Sequence, residues 1–398
     1  MVNVNSYDYR AICLVCACMI YAVFGSPTPN NVGVIELLVG GLLALSIGAG
    51  RVRDVFMHRY KSRFWKSAGQ LFIIYGLSVP LLIGVISGNN LTVMLRDIIP
   101  FLFLFMPMFL LPLLRARPYY FRSILLAILM VGLLFSLRSI MMRFYGRCFI
   151  DCPDELLYLE NMPTVLFTCL LMIGAAMSFI MRGLKFKNIA VFVILIALSL
   201  IPIAAMASTL QRASLGALAF YIVLIQGYFF YKSPRRATIL LIIGVITALI
   251  INISFSSLFT SLLDKTQSVG LNMRPQEFFA VWDAVSANPM TFLFGIGWGG
   301  QFYSPAVGGL SVNFTHNFFS FLMLKTGLIG VMCCIAYIAG LLERLSRVIL
   351  KNPVFGMALA APILIDLTLY ASFKSLDFGL VLLLISGSLV YFRDYMDE

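Results

Sequence analysis

From end to end the chain is divided into predominantly apolar runs of about 15 to 20 residues, a length that crosses the roughly 30 Å hydrocarbon layer as helix at 1.5 Å per residue. The runs lie at roughly 9–25, 32–49, 68–87, 98–114, 122–137, 162–181, 189–206, 214–231, 237–254, 315–338, 354–371 and 378–392. A water-soluble core could not bury twelve of them. Composition agrees: 61% of the residues are hydrophobic and 12% charged, against roughly half and a quarter in an ordinary soluble domain. The polar start, Met1 to Arg10, has no basic n-region, and no small-residue cleavage site follows the first run, so that run is expected to be a retained span. The expected fold is therefore all-α. It is a polytopic transmembrane bundle of about twelve spans, a single integral membrane domain over residues 1–398. A large outer loop, residues 255–314, lies between the ninth and tenth spans and carries short helices.

A net charge of +12 would suggest nucleic acid in a soluble protein, but here membrane topology accounts for it. With the N-terminus in the cytoplasm, 20 of the 29 Lys and Arg fall in alternate, inward loops. Both termini are then cytoplasmic. The exceptions are Arg96, Arg138, Arg143, Arg147, Arg212, Lys265, Arg274, Lys325 and Lys374, in outward loops or within spans. A guanidinium on the outer face needs a reason, and one reason is phosphate, whose oxygens match its fixed fork of donors. Arg212, at the outer entry of the eighth span, and Arg274, in the large loop, are the leading candidates. Arg96, Arg138, Arg143 and Arg147 are weaker, because Asp97, Asp151, Asp154 and Glu155 can neutralise them structurally. For any one of these arginines, a lipid headgroup or surface ion pair is the competing explanation.

Within the loop, Pro275 to Asn288 sets Phe278, Phe279, Trp282 and Val285 at helical spacing, with Pro275 in a first-turn position and Glu277 favoured by the helix dipole. A helix lying on the bilayer surface is expected. The glycines that follow, Gly295, Gly297, Gly299 and Gly300, signal irregular backbone or a phosphate cradle. Thr315 is a plausible N-cap for the tenth span, which places His316 in the first helical turn. Partial positive charge there disfavours imidazolium, leaving a neutral ring able to accept a proton. The alternative is a polar residue that merely caps the helix. Lys325 and Asp366 lie at similar depth and are expected to pair, and Glu36 is a candidate for facing a cavity. Cys148 and Cys152 share an outward loop where a disulfide is feasible if geometry permits. With His58 and His316 as the two histidines, no zinc spacing exists, and neither a metal nor another cofactor is expected.

These residues resemble the O-antigen ligase and O-antigen polymerase superfamily of the bacterial envelope. The likeness rests on Arg274 before an aromatic-rich helix with Trp282, then Asn288-Pro289, Gly295-Ile296-Gly297, His316-Asn317 and Gly327-Leu328-Ile329-Gly330. A second element, Gln211-Arg212-Ala213-Ser214-Leu215-Gly216-Ala217, also matches. The resemblance implies an inner-membrane enzyme that transfers a glycan from undecaprenyl pyrophosphate on the periplasmic side, without metal, with inversion at the anomeric carbon. Arg212 and Arg274 would hold the pyrophosphate, His316 would act as base, and Gln211 and Asn317 would be accessory. The ligase, whose acceptor is lipid A core, is favoured over the polymerase, whose acceptor is a carrier-linked repeat, because the arginine, arginine and histidine set is complete. A lipid-linked glycan transporter and a membrane scaffold remain the readings of other classes.

Overall fold

A computed structural model describes residues 6–26, 33–58, 60, 64–146, 158–254 and 273–394. Cys148, Cys152 and Arg147 lie outside them, and with them the expected disulfide. Sixteen α-helices dominate the described residues. In order they are α1 (Ser6–Phe24), α2 (Val34–Ile47), α3 (Ala49–Met57), α4 (Phe64–Ile86), α5 (Leu91–Phe103), α6 (Met106–Ala116), α7 (Pro118–Tyr145) and α8 (Pro163–Arg182). There follow α9 (Phe186–Ser208), α10 (Arg212–Lys232), α11 (Pro234–Ser254), the short α12 (Arg274–Ser286) and α13 (Pro289–Phe294), then α14 (Phe318–Lys351), α15 (Pro353–Thr368) and α16 (Leu376–Asp394). A small antiparallel hairpin, β1 (Phe302–Ser304) and β2 (Leu310–Val312), pairs Tyr303 with Ser311. Every predicted apolar run overlaps a helix. Among the described residues, seven helices are individually long and apolar enough to cross a membrane, or up to nine candidates if the bent pairs α2–α3 and α5–α6 each count as one.

The distribution of apolar side chains is that of a membrane bundle. On α16, Phe378, Leu380, Val381, Leu383, Leu384 and Ile385 are completely buried, so this helix is apolar all round because it is enclosed all round. On α9 the opposite holds: Phe186, Val193, Ile194 and Leu200 are all more than half exposed. Such an exterior is stable against lipid tails, not water.

Three breaks depart from the straight spans read from the sequence. The pair α2–α3 bends by 68° at Gly48, and α5–α6 by 41°. The second break follows from Pro107, which has no N–H to continue a ladder, and is closed by tight bonds such as Phe105 N to Leu102 O, 3.1 Å. The third lies inside α14, where Gly327 takes φ 63°. Its kink releases the carbonyls of Leu324 and Lys325, and these accept hydrogen bonds from the backbone N–H groups of Ile296 (2.8 Å) and Gly297 (3.2 Å). Contact is so close that a Cβ on Gly295 would lie 2.5 Å from the Lys325 carbonyl, and one on Gly297 2.5 Å from Gly84 N.

The glycine-rich stretch is thus a wedge rather than a phosphate cradle. Trp298 N–H donates to Pro80 O (3.1 Å), its indole Nε1 to Gly76 O (2.7 Å), and Gly299 N–H to Asp97 Oδ2 (2.9 Å), so these donors are already used. The wedge also decides the partner of Lys325. Its Nζ lies 2.7 Å from Asp97 Oδ2 and donates to Gly300 O (2.6 Å), both side chains buried, instead of pairing with Asp366. Asp366 accepts from Ser372 Oγ (2.6 Å). Glu36 accepts the Gly33 N–H (2.9 Å) and caps α2.

Candidate active site

Helix α12 is anchored to the bundle through a small core in which Val281 and Val285 meet Phe302 of β1 and Leu324 of α14. Val285 therefore turns inward, whereas Phe278, Phe279 and Trp282 are about half exposed on the opposite face. The same inward face carries Glu277, one turn ahead of Val281 on the same stripe.

Glu277 meets His316, the residue expected to act as base. His316 N–H donates to Glu277 Oε2 (2.8 Å), and His316 Nδ1 lies 3.1 Å from both carboxylate oxygens. Ser304 Oγ donates to Glu277 Oε1 (2.8 Å). A carboxylate only accepts, so this contact favours the imidazole tautomer protonated on Nδ1 and directs the Nε2 lone pair away from the acid. Burial alone would raise the Glu277 pKa; the hydrogen bonds from the His316 ring, its backbone and Ser304 outweigh burial and hold the carboxyl below its ordinary range. The His316 side chain is 32% exposed while that of Glu277 is 2% exposed, so the ring is reachable and its orienting acid is sealed.

The local geometry of His316 differs from the sequence expectation. The N-cap of α14 is Asn317, not Thr315: its Oδ1 accepts from Phe319 N (2.9 Å) and Ser320 N (3.2 Å), and its Nδ2 donates to Thr368 O (3.0 Å). His316 therefore precedes the helix rather than lying in its first turn, and its orientation comes from Glu277. Asn317 is a cap that also pins α14 to the end of α15.

Both leading arginines stand at helix starts. Arg212 is the first residue of α10 and Arg274 the first of α12. Each chain entry passes through a non-glycine residue in the left-handed region, Leu210 (φ 53°) and Met273 (φ 56°), a conformation that costs about 1 kcal/mol or more and concentrates at functional sites. Two helix N-termini bearing guanidinium groups make an anion-attracting corner. The arginines are close enough to interact: burial lowers the Arg274 pKa, Tyr370 and Glu277 oppose that shift, and the Arg212 charge adds to it. Arg274 Nε is buried and has no hydrogen-bond partner among the described residues. Tyr370 completes the corner, lying against Ser214, the Ala213 backbone and Arg274. Gln211 is buried behind it as the N-cap of α10 and accepts from Ser214 Oγ (3.1 Å).

Arg96 lies on the other flank, close enough to Lys374 to depress its pKa. Arg138 does not join the site; it is buried and donates to Ala22 O (2.9 Å) and Gly25 O (3.0 Å), tying α7 to the end of α1. Arg143 is exposed in the last turn of α7. Sequence reading missed Glu277 as a partner of His316, together with Tyr370 and Lys374. The signals were an acid three residues after Arg274 and, for Lys374, its place among the nine cations that the charge pattern leaves off the inward loops.

Fold and site together define a multi-pass helical membrane protein with a sealed carboxylate orienting an accessible histidine beside two helix-borne arginines. No family model matches the chain, and no curated protein matches it.

Proposed function

We propose that the protein is a lipid-carrier-dependent glycosyltransferase of the O-antigen ligase type. It would transfer a polysaccharide from undecaprenyl pyrophosphate to a sugar hydroxyl of lipid A core, at the periplasmic face of the bacterial inner membrane. The observation that carries the reading is the Glu277–His316 pair set three residues along α12 from Arg274. In this proposal His316 Nε2 takes the proton of the acceptor hydroxyl and the freed oxygen attacks the anomeric carbon. The bond from that carbon to the pyrophosphate oxygen breaks, its electron pair leaving with the carrier. Arg212 and Arg274 stabilise the charge that grows there, a task that otherwise falls to a metal ion. Displacement from one face inverts the anomeric centre.

The topology that accompanies this reading has twelve crossings and cytoplasmic termini, with α12 on the outer bilayer surface and its exposed aromatic residues in lipid. The transporter reading needs discontinuous helices around a cavity. The break in α14 is instead filled by the Gly295–Gly300 wedge and the Lys325–Asp97 pair. Incubating purified protein with carrier-linked glycan and lipid A core in chelator tests the proposal: the expected product is a larger lipopolysaccharide. Chains lengthening on the carrier would make it the polymerase, and no product from a competent donor would sink both.

A further inference from the structure

The charges around His316 fall into two groups. Arg274 is acted on by Tyr370, Glu277 and Arg212. Lys374 is acted on by Asp97, Lys325, Arg96 and Glu277. Glu277 belongs to both, so the Glu277–His316 pair stands between an arginine corner and a second cationic group. One short connection spans the two, because Tyr370 and Lys374 both lie between α15 and α16, the lysine at the end of the turn Ala371–Lys374. On the lysine side, the Phe314 ring faces His316 at 5.8 Å and lies 5.6 Å from Lys374 Nζ. The same Nζ sits 4.1 Å from the Phe321 ring centroid and 6.0 Å from that of Phe373.

Lys374 is thus held by ring faces, and among the described residues no carboxylate oxygen is within ion-pair distance of it. Its environment contrasts with that of Lys325, whose charge is matched directly by Asp97. Aromatic faces position an ammonium but return less than a carboxylate or water would.

We propose that Lys374 contacts a phosphate group of the second lipid substrate, so that the site holds two lipid phosphates, one on each side of His316. The inference rests on the glycosyltransferase reading and deepens it: the donor pyrophosphate occupies the Arg212–Arg274 corner, and the acceptor is a glycolipid bearing its own phosphate ester. Burial pushes the Lys374 pKa down to about 7, with Asp97 and Glu277 opposing the shift and Lys325 and Arg96 adding to it. An arriving phosphate reverses the shift, so binding at this position takes up a proton. Affinity then falls as pH rises through 7. The ligand alone predicts the opposite, because a phosphate monoester gains charge above about pH 6.

The test measures binding to the full chain in nanodiscs with two probes, lipid A bisphosphate and undecaprenyl pyrophosphate without glycan, at about pH 6 and about pH 8.5. Lys374→Met is expected to weaken lipid A binding about 10- to 100-fold and the carrier less than about threefold, while Arg274→Gln does the reverse. Wild-type affinity for lipid A is expected to fall about 10- to 30-fold between the two pH values, and Lys374→Arg, which keeps its charge, to abolish that fall. If the acceptor is carrier-linked, undecaprenyl pyrophosphate binds at two positions and Lys374→Met removes one. Equal losses on both probes, no loss on either, or an unchanged pH dependence in Lys374→Arg would overturn the assignment. Because binding is read without transfer, the split can hold where the transfer assay fails, and transfer can hold where the split is absent.

Discussion

Glu277→Gln separates an oriented base from a merely buried polar residue. The wild-type carboxylate receives three hydrogen bonds, from His316 N (2.8 Å), His316 Nδ1 (3.1 Å) and Ser304 Oγ (2.8 Å), and needs to donate none. Glutamine offers a single acceptor oxygen and an amide group that must donate. The His316 backbone N–H cannot change role, so it keeps the oxygen. Of the other two, the Ser304 hydroxyl can rotate to accept, whereas Nδ1, 3.1 Å from both carboxylate positions, faces the amide NH2 whichever way the side chain is turned, a donor-to-donor contact that is relieved by moving its proton to Nε2. That tautomer has no lone pair to offer a sugar hydroxyl. Removing a positioned general base costs about 10²- to 10⁴-fold in kcat, or about 3 to 5 kcal/mol of barrier, and KM for the donor is expected to stay put because Arg212 and Arg274 are untouched. The readout need not be kinetic. With two histidines in the chain, ¹⁵N-histidine labelling gives two imidazoles, and a His58→Gln sample assigns them. The wild-type His316 spectrum should show a proton on Nδ1 and the variant one on Nε2. A kcat within about threefold of wild type, with His316 still protonated on Nδ1, would refute the orienting role and with it the base assignment.

Further outcomes follow from the same geometry. Arg274→Gln should lower kcat by about 10²- to 10³-fold in the transfer assay, as loss of a charge-stabilising donor does elsewhere. Asp97→Asn leaves the Lys325 ammonium buried without its countercharge and should cost about 3 to 5 kcal/mol, read as lost thermal stability in detergent. Asp97→Leu with Lys325→Met should recover most of that loss, though the Gly299 N–H and Gly300 carbonyl stay unpaired. Arg138→Met should lower stability while leaving activity per folded molecule unchanged, since its donors serve the end of α1. On acidification, Glu277 predicts a loss of stability: its folded pKa lies below the ordinary 4.5, so its contribution is present above that value and is lost as pH falls through the folded pKa, a slope that Glu277→Gln should flatten in acid melts.

Much of the architecture was legible because lipid imposes a coarse rule. Each apolar run overlaps a helix, and Arg212, Arg274 and His316 were singled out as polar residues that the charge pattern of the loops assigned to the outer side. The breaks were not legible. Hydropathy cannot distinguish one straight span at 98–114 from two helices meeting at 41°, and Gly327 within an apolar run is indistinguishable from a packing glycine until its φ is known. Pairings across long loops were equally hidden. Depth in the bilayer matched Lys325 with Asp366, but the choice of Asp97 depends on a loop from elsewhere, Gly299 and Gly300, completing the coordination. The N-cap was misplaced by two residues because Thr315 and Asn317 are both good caps, and the tie from Asn317 to Thr368, fifty-one residues away, decides between them.

The wedge explains why these errors share a cause. Helix α12 carries Arg274 and Glu277, yet it is not one of the long apolar helices, and a short helix that moved freely could not hold a base to within a few tenths of an ångström. The Gly295–Gly300 segment removes that freedom by hydrogen-bonding to α4 and α5 and to carbonyls that only a kinked α14 exposes. Hence the kink, the run of glycines, the fully buried Trp298 and the Lys325–Asp97 pair form one device, and each looks unrelated to the others in the linear chain. Its consequence is specific. Gly327→Ala would meet Gly295 N and the Leu293 carbonyl at 2.5 Å and force a β-carbon into the left-handed region. It should therefore uncouple α12 from the bundle, and transfer should be lost although Arg274, Glu277 and His316 are all present. Limited proteolysis between residues 274 and 316 reads that release directly, and a Gly327→Ala protein that is as protected and as active as wild type would show that the wedge positions nothing.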